Sequence, residues 1–261
     1  PRPHPEFSKE DPTAYISMGI TAENVASRYN ITRQECDEFA AKSNEKAAIA
    51  QKNGWFTEIV PTPAVKFVKQ ADGTFKKETF IVSEDDGVRP GTTAEGIAKL
   101  SSPFKFGGVA TAANSSQTTD GAAATLVASK EACERLGLKP IAKIIAYAVA
   151  GCKSDEMGVG PKYAIPKALK IAGLTIDQID AFELNEAFAT QAIHCVKELG
   201  IDINKVNLNG GAIALGHPLG CTGAKITATL LGVLKRTGGK YGIVSMCIGG
   251  GMGAAAIFEM V

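Results

Sequence analysis

An excess of charge of either sign is the first thing this sequence lacks. Lys and Arg total 28 against 27 for Asp and Glu, a formal net charge of +1, so the balance implies neither a nucleic acid nor a membrane surface as partner. Long apolar runs are missing as well. None approaches the ~18–20 residues needed to span a bilayer. Close cysteine pairs are the third absence. Cys36, Cys133, Cys152, Cys195, Cys221 and Cys247 are scattered, with no metal-ligand spacing, and in a chain this large that pattern reads as reduced thiols in an intracellular protein rather than a disulfide framework. What is present is 45% hydrophobic and 21% charged over 261 residues, which predicts a globular chain with a real core, in one large domain or two ordinary ones.

Along the chain, residues 1–13 read as an extended lead-in, with His4 disordered. A helix is expected from Thr21 as cap. A second opens at Thr32, with Glu35 at the capping-box position, and runs to about Lys52, where Asn53-Gly54 stops it. Thr57–Pro61 and Phe80–Val82 read as short strands about a polar turn at Asp72-Gly73, and 84–87 and 91–96 as surface loop. After Gly121 strands and helices alternate. Strands are expected at 141–149, 179–184, 206–208, 241–246 and 254–260, and a strand or buried run at 122–128. Helices are expected at 129–136, 163–172, 185–199 and 220–236. Buried strands alternating with helices predict a layered α/β architecture.

Three stretches then carry a family resemblance. They are Asn185-Glu186-Ala187-Phe188-Ala189, the glycine-rich run from Gly210 through His217 to Gly220, and Cys247-Ile248-Gly249-Gly250-Gly251-Met252-Gly253. In this order and spacing the chain resembles the thiolases, most closely 3-ketoacyl-CoA thiolases of the peroxisomal type. Glu84–Pro90 and Met157–Pro161 support the match, which extends from Met18 to Val261. The resemblance implies a layered thiolase fold, each half a βαβαβαββ unit with a mixed sheet, plus a mixed α+β loop domain that covers the active site. Residues 1–110 match that loop domain, 111–138 the end of the first half, and 139–261 the whole second half. The early part of the first half, with the segment bearing the acylated cysteine, has no counterpart here. The expectation is therefore that this chain alone does not complete the reaction.

The chemistry explains the residue types. A cysteine thiolate both attacks a carbonyl and leaves again from a thioester, but a thiol of pKa ~8.5 is little ionised at neutral pH and needs a neighbouring base. By resemblance His217 is that base and an oxyanion donor. Asn185 holds an oxyanion-hole water, and a place at the start of a helix would fix its orientation. Cys247 is the acid/base thiol that protonates the departing acetyl-CoA carbanion. Gly249 offers the amide of a second oxyanion hole. Phe104, Asn114, Ser115 and Ser116 match positions contacting the pantetheine arm, and Met18 one lining the acyl pocket. Ser17 stands where biosynthetic acetoacetyl-CoA thiolases carry histidine, which favours a degradative enzyme. No covalently bound cofactor and no metal are implied; coenzyme A is a substrate.

The plainer readings stand beside these. Cys36, Cys133, Cys152, Cys195 and Cys221 read as packing thiols, the last inside the first turn of its helix, and His194 as helix surface or core. The glycine run lacks the lysine and spacing of a phosphate-binding loop. Alternatives are an acetoacetyl-CoA thiolase working in the condensing direction, or a non-catalytic acyl-CoA-binding subunit. The partner expected is acyl-CoA or CoA, with a homodimer, a homotetramer or a companion chain supplying the nucleophile, and with neither nucleic acid nor a membrane span. Peroxisome and bacterial cytoplasm are the expected locations. A truncated or split enzyme would expose an apolar face on residues 139–261.

Overall fold

Apolar periodicity in the second half of the chain builds the main body of the computed structural model, which describes residues 3–261. In chain order the elements are helices α1 (Pro5–Glu10), α2 (Met18–Tyr29) and α3 (Arg33–Lys52), a hairpin β1 (Thr62–Lys69) and β2 (Phe75–Val82), and short helices α4 (Ala94–Ile97) and α5 (Lys130–Leu136). Then come β3 (Ala142–Gly151), α6 (Gly160–Ala172), β4 (Ala181–Leu184), α7 (Ala189–Leu199), α8 (Ala212–Leu215), α9 (Thr222–Thr237), β5 (Tyr241–Ile248) and β6 (Met252–Met260). The last four strands form one sheet in the order β3-β6-β5-β4. β3/β6 and β6/β5 are antiparallel and β5/β4 parallel, a mixed sheet as expected.

Helices cover both faces. Ala164, Ile165, Ala168 and Leu169 of α6, spaced to share one side of a helix, pack with Ala192, Cys195 and Val196 of α7 against Phe182, Ile243 and Ile257. Ile226, Leu230, Val233 and Leu234 of α9 cover Ala181, Val244 and Phe258 on the opposite face. β4 is buried along its whole length, as a strand covered on both sides must be. A further cluster joins α2, α3 and α7 through Ala26, Cys36, Ala40, Ala189 and Ile193.

Local signals placed several boundaries correctly. Thr32 and Glu35 form the reciprocal capping box of α3, and α3 ends at Lys52. The turn at Gly73 adopts φ +86°, though the strands around it are Thr62–Lys69 and Phe75–Val82 rather than the shorter runs expected. Other expectations are corrected. Residues 5–10 are helical, with Pro5 at the first position, where its missing N–H costs nothing, and His4 as cap. α2 starts at Met18 because Ser17 accepts the Ile20 N–H (3.4 Å), while Thr21 is buried and donates to the Met18 carbonyl (2.6 Å).

Residues 122–128 form no strand, and Leu126 and Val127 are 83% and 70% exposed. A buried strand needs a neighbour for its backbone groups, and among the described residues no strand pairs with this run. The strand expected at 206–208 is reduced to one parallel bridge, Phe182 to Val206. Cys221 is the N-cap of α9 and not inside it. α9 covers the β4 side of its face, so Ile144, Tyr147 and Val149 of edge strand β3 stand exposed on the same side of the sheet.

Candidate active site

Parallel pairing of β4 with β5 brings two of the candidate residues to one end of the sheet. Leu184 lies opposite Ser245, and the Asn185 N–H donates to the Ser245 carbonyl (2.9 Å). Asn185 therefore directly follows β4 and Cys247 is the penultimate residue of the adjacent β5, at the carboxyl ends of the strands, the usual place for a ligand site in an α/β sheet. The expected position of Asn185 at a helix start is corrected: α7 begins at Ala189 with Phe188 as cap. Asn185 is held by strand pairing, and by Gln191, whose Nε2 donates to its carbonyl (3.0 Å).

His217 reaches the same place from the loop between α8 and α9. Its Nε2 lies 3.3 Å from Asn185 Nδ2 and its Nδ1 2.7 Å from Thr222 Oγ1. Burial first, and the Lys225 ammonium second, pull His217 below the ordinary histidine value, which favours a neutral ring. Cys247 is buried in β5 beside Met157, Ala187 and Phe188. Burial pushes its thiol up to about 12, so it carries its proton at neutral pH. Gly249, two residues on, sits exposed in the β5–β6 turn with nothing within 4 Å of a side-chain position.

Glu186 had no role in the sequence reading, yet it fixes the loop that presents His217. Fully buried, its carboxylate accepts from Ser43 Oγ (2.6 Å), Asn207 Nδ2 (2.7 Å) and the Ile213 N–H (3.2 Å). Ser43 Oγ accepts the Gly211 N–H in turn (3.0 Å). A Cβ on Gly211 would fall 2.1 Å from Glu186 Cδ, so only glycine lets the loop lie this close. Thr222 was missed as well. The one signal for it is a hydroxyl five residues after a candidate histidine, at the start of a helix.

The binding candidates divide. Phe104 packs edge-on to Phe188 (6.1 Å between ring centres) and over Gly19, next to Met18 at the start of α2. Phe104 thus packs on Phe188, which itself packs against the cluster that holds Cys247. Ser115 forms a strand-like bridge with Phe188, and the Ser116 N–H donates to the Ala187 carbonyl (2.9 Å). Asn114 is not brought to the site. It is 1% exposed, and its side chain is spent on Asp37 Oδ1 (2.8 Å), the Val109 carbonyl (2.9 Å) and the Thr111 N–H (2.7 Å), an internal lock that leaves nothing for a ligand.

Family models match both parts of the chain. One described as "Thiolase, N-terminal domain" matches residues 7–131, and one described as "Thiolase, C-terminal domain" matches 138–260. The chain belongs to the thiolase family. It is 57% identical over 246 residues to the peroxisomal 3-ketoacyl-CoA thiolase B of Mus musculus, covering 94% of this chain and 57% of that protein. It is 50% identical over 260 residues to the 3-ketoacyl-CoA thiolase of Bacillus subtilis (strain 168), covering 99% of this chain and 66% of that protein. The dimeric peroxisomal thiolase of Saccharomyces cerevisiae superposes with a TM-score of 0.87 at 46% identity, over 100% of this chain and 64% of that one. This thiolase chain thus spans about three-fifths of the length of the relatives it matches.

Among its described residues no group of three or more His, Cys, Asp or Glu is placed to hold a metal ion, and no helix is long and apolar enough to cross a membrane. Of the cysteines read as packing thiols, Cys36 and Cys195 are buried and Cys133, Cys152 and Cys221 partly exposed. His194 is buried and stacked on Tyr29 (3.7 Å between ring centres).

Proposed function

We propose that this chain supplies the acid/base side of a 3-ketoacyl-CoA thiolase, which cleaves 3-ketoacyl-CoA with CoA to acetyl-CoA and a shortened acyl-CoA in fatty-acid β-oxidation. The observation that carries the reading is His217 in contact with Asn185 at the carboxyl end of β4, with Cys247 buried near the same end of the neighbouring strand β5. In this scheme a cysteine thiolate on sequence outside these 261 residues attacks the 3-keto carbon. His217 takes that thiol's proton and later donates to the oxyanion, with Asn185 holding a water there. The carbon–carbon bond breaks, its electron pair leaves on acetyl-CoA, and the Cys247 thiol protonates that carbanion. The CoA thiol then gives its proton to the Cys247 thiolate and takes the acyl group from the first cysteine, and the Gly249 amide serves the second oxyanion. A thiol as hard to ionise as Cys247 keeps its proton until so strong a base forms beside it.

Residues 1–110 then act as the covering loop domain, 111–138 as the end of the first half and 139–261 as the second half. The open face at Ile144, Tyr147 and Val149 fits the packing of a missing half-domain. Met18, Phe104, Ser115 and Ser116 flank the acyl-CoA path. Ser17, which caps α2, supports degradation over the condensing alternative, since it offers no imidazole. A homodimer is the assembly proposed, and peroxisome or bacterial cytoplasm the location. The test is to combine this chain with a polypeptide carrying the nucleophile segment and assay CoA-dependent acetoacetyl-CoA cleavage. Turnover that appears only on mixing and disappears with Cys247→Ala supports the reading; turnover indifferent to Cys247 overturns it.

A further inference from the structure

Four groups in a row link the candidate base to the backbone, and the last of them can only accept. The Thr222 hydroxyl lies 3.0 Å from the Pro218 carbonyl, four residues back. A carbonyl has no proton to give, so the single hydroxyl proton of Thr222 is spent there. His217 Nδ1, 2.7 Å from the same oxygen, must then be the donor. A neutral imidazole carries one ring proton, which leaves Nε2 bare, so the contact at 3.3 Å is filled by Asn185 Nδ2 donating. Turning the Asn185 amide over would set two acceptors against each other. In the orientation so fixed, Asn185 Oδ1 is buried without a protein partner and stays free for a donor brought to the site.

We propose that Thr222 is a positioning residue that holds His217 in the Nδ1–H tautomer, so that the basic nitrogen is Nε2, whose long 3.3 Å contact with the Asn185 amide a thiol proton can displace. The role rests on the thiolase reading; the tautomer itself does not. A free histidine side chain in water prefers the opposite tautomer, with the proton on Nε2, and the partner of one ring nitrogen decides the state of the other. A ring left to its own preference would present N–H to a thiol and could not take its proton. Thr222 is buried at the first position of α9, so its hydroxyl is aimed by the helix and screened from competing water. Helix α9 thereby sets the chemistry of a loop residue one turn before it.

The chain contains three histidines, so selective 15N labelling of histidine gives a readable ring-nitrogen spectrum of the whole chain, with a His217→Asn variant assigning the signal. Long-range 1H–15N correlations distinguish a protonated from a bare ring nitrogen. The wild-type chain is expected to show His217 with Nδ1 protonated and Nε2 bare. Thr222→Val, which keeps the shape and deletes the hydroxyl, is expected to move the tautomer ratio toward Nε2–H by about tenfold, the equilibrium equivalent of one ordinary hydrogen bond. Thr222→Ser is expected to keep the wild-type pattern. An Nε2–H tautomer in the wild-type chain overturns the proposal, even if Thr222→Val fails to fold. So does an unchanged ratio in a folded Thr222→Val. Because these spectra need no turnover, they stand apart from the complementation assay: absent cleavage with the expected tautomer would fail the thiolase reading alone.

Discussion

Glu183→Gln should remove a pH-dependent weakness from the core. Glu183 points from β4 toward α9 and is 4% exposed. Burial raises its carboxyl from the ordinary 4.5 to about 8, with Lys225 opposing and Glu186 and Glu58 adding to the shift. A carboxyl whose folded value lies above its unfolded value gives stability that is fully present below pH 4.5 and is lost as pH rises toward 8, because only the unfolded chain releases the proton in that window. The loss runs at about 1.4 kcal/mol per pH unit, hence about 3 kcal/mol between pH 5 and pH 7. For a chain of this size that corresponds to roughly 6–12 °C in melting temperature.

Glutamine cannot ionise, so the difference between variant and parent should widen by that amount across the window, whatever constant offset the amide introduces. Thermal melts of both proteins by circular dichroism at half-unit steps from pH 5 to 8 would measure it. The variant retains Glu186, whose carboxyl burial also raises, so some slope should persist in it. Parallel curves for the two proteins would refute the reasoning, since they would mean that the Glu183 proton is not withheld by the fold.

Glycine replacements should divide by what a methyl group meets. Gly253→Ala would place Cβ 2.1 Å from the Gly160 backbone, which cannot rotate away, and is expected to cost about 1–3 kcal/mol in urea unfolding, whereas Gly249→Ala, with open space around it, should be near neutral. Leu230→Ala in the α9 core, where the side chain is fully buried, should cost about 2–5 kcal/mol by the same measurement. Alkylation at pH 8 followed by peptide mass mapping should label the partly exposed Cys133 and Cys221 well before Cys247, whose thiol burial pushes up to about 12. In the complemented enzyme, Cys247→Ala is expected to lower kcat by about 10²–10⁴-fold, with far smaller effects from Cys133→Ala.

Much of the site could be read from the chain because its residues sit in short contiguous motifs. The Asn185 motif, the His217 loop and the Cys247 turn each fall within a dozen residues, and α9 and the capped α3 follow from periodicity and local hydrogen bonding. Asn114 shows where that kind of reading ends. Nothing adjacent to it in sequence announces that Asp37, 77 residues away, will claim its amide. Glu186 is a similar case: its partners Ser43 and Asn207 come from separate elements, so its part in shaping the histidine loop is invisible until the chain has folded.

The run 122–128 fails for the complementary reason. Its composition suits a strand, but strandhood is a property of a pair of backbones, and no neighbour among the described residues takes its hydrogen bonds. The sequence by itself determined the family, the mixed sheet of the second half and the candidate groups for proton transfer. The tertiary structure alone decided that Asn185 ends a strand, that a buried glutamate anchors the glycine loop, and that a threonine directs the proton on His217. The division is physical: motifs and periodicity act between near neighbours along the chain, whereas burial, shared hydrogen bonds and tautomer choice depend on which distant atoms are brought within about 3 Å.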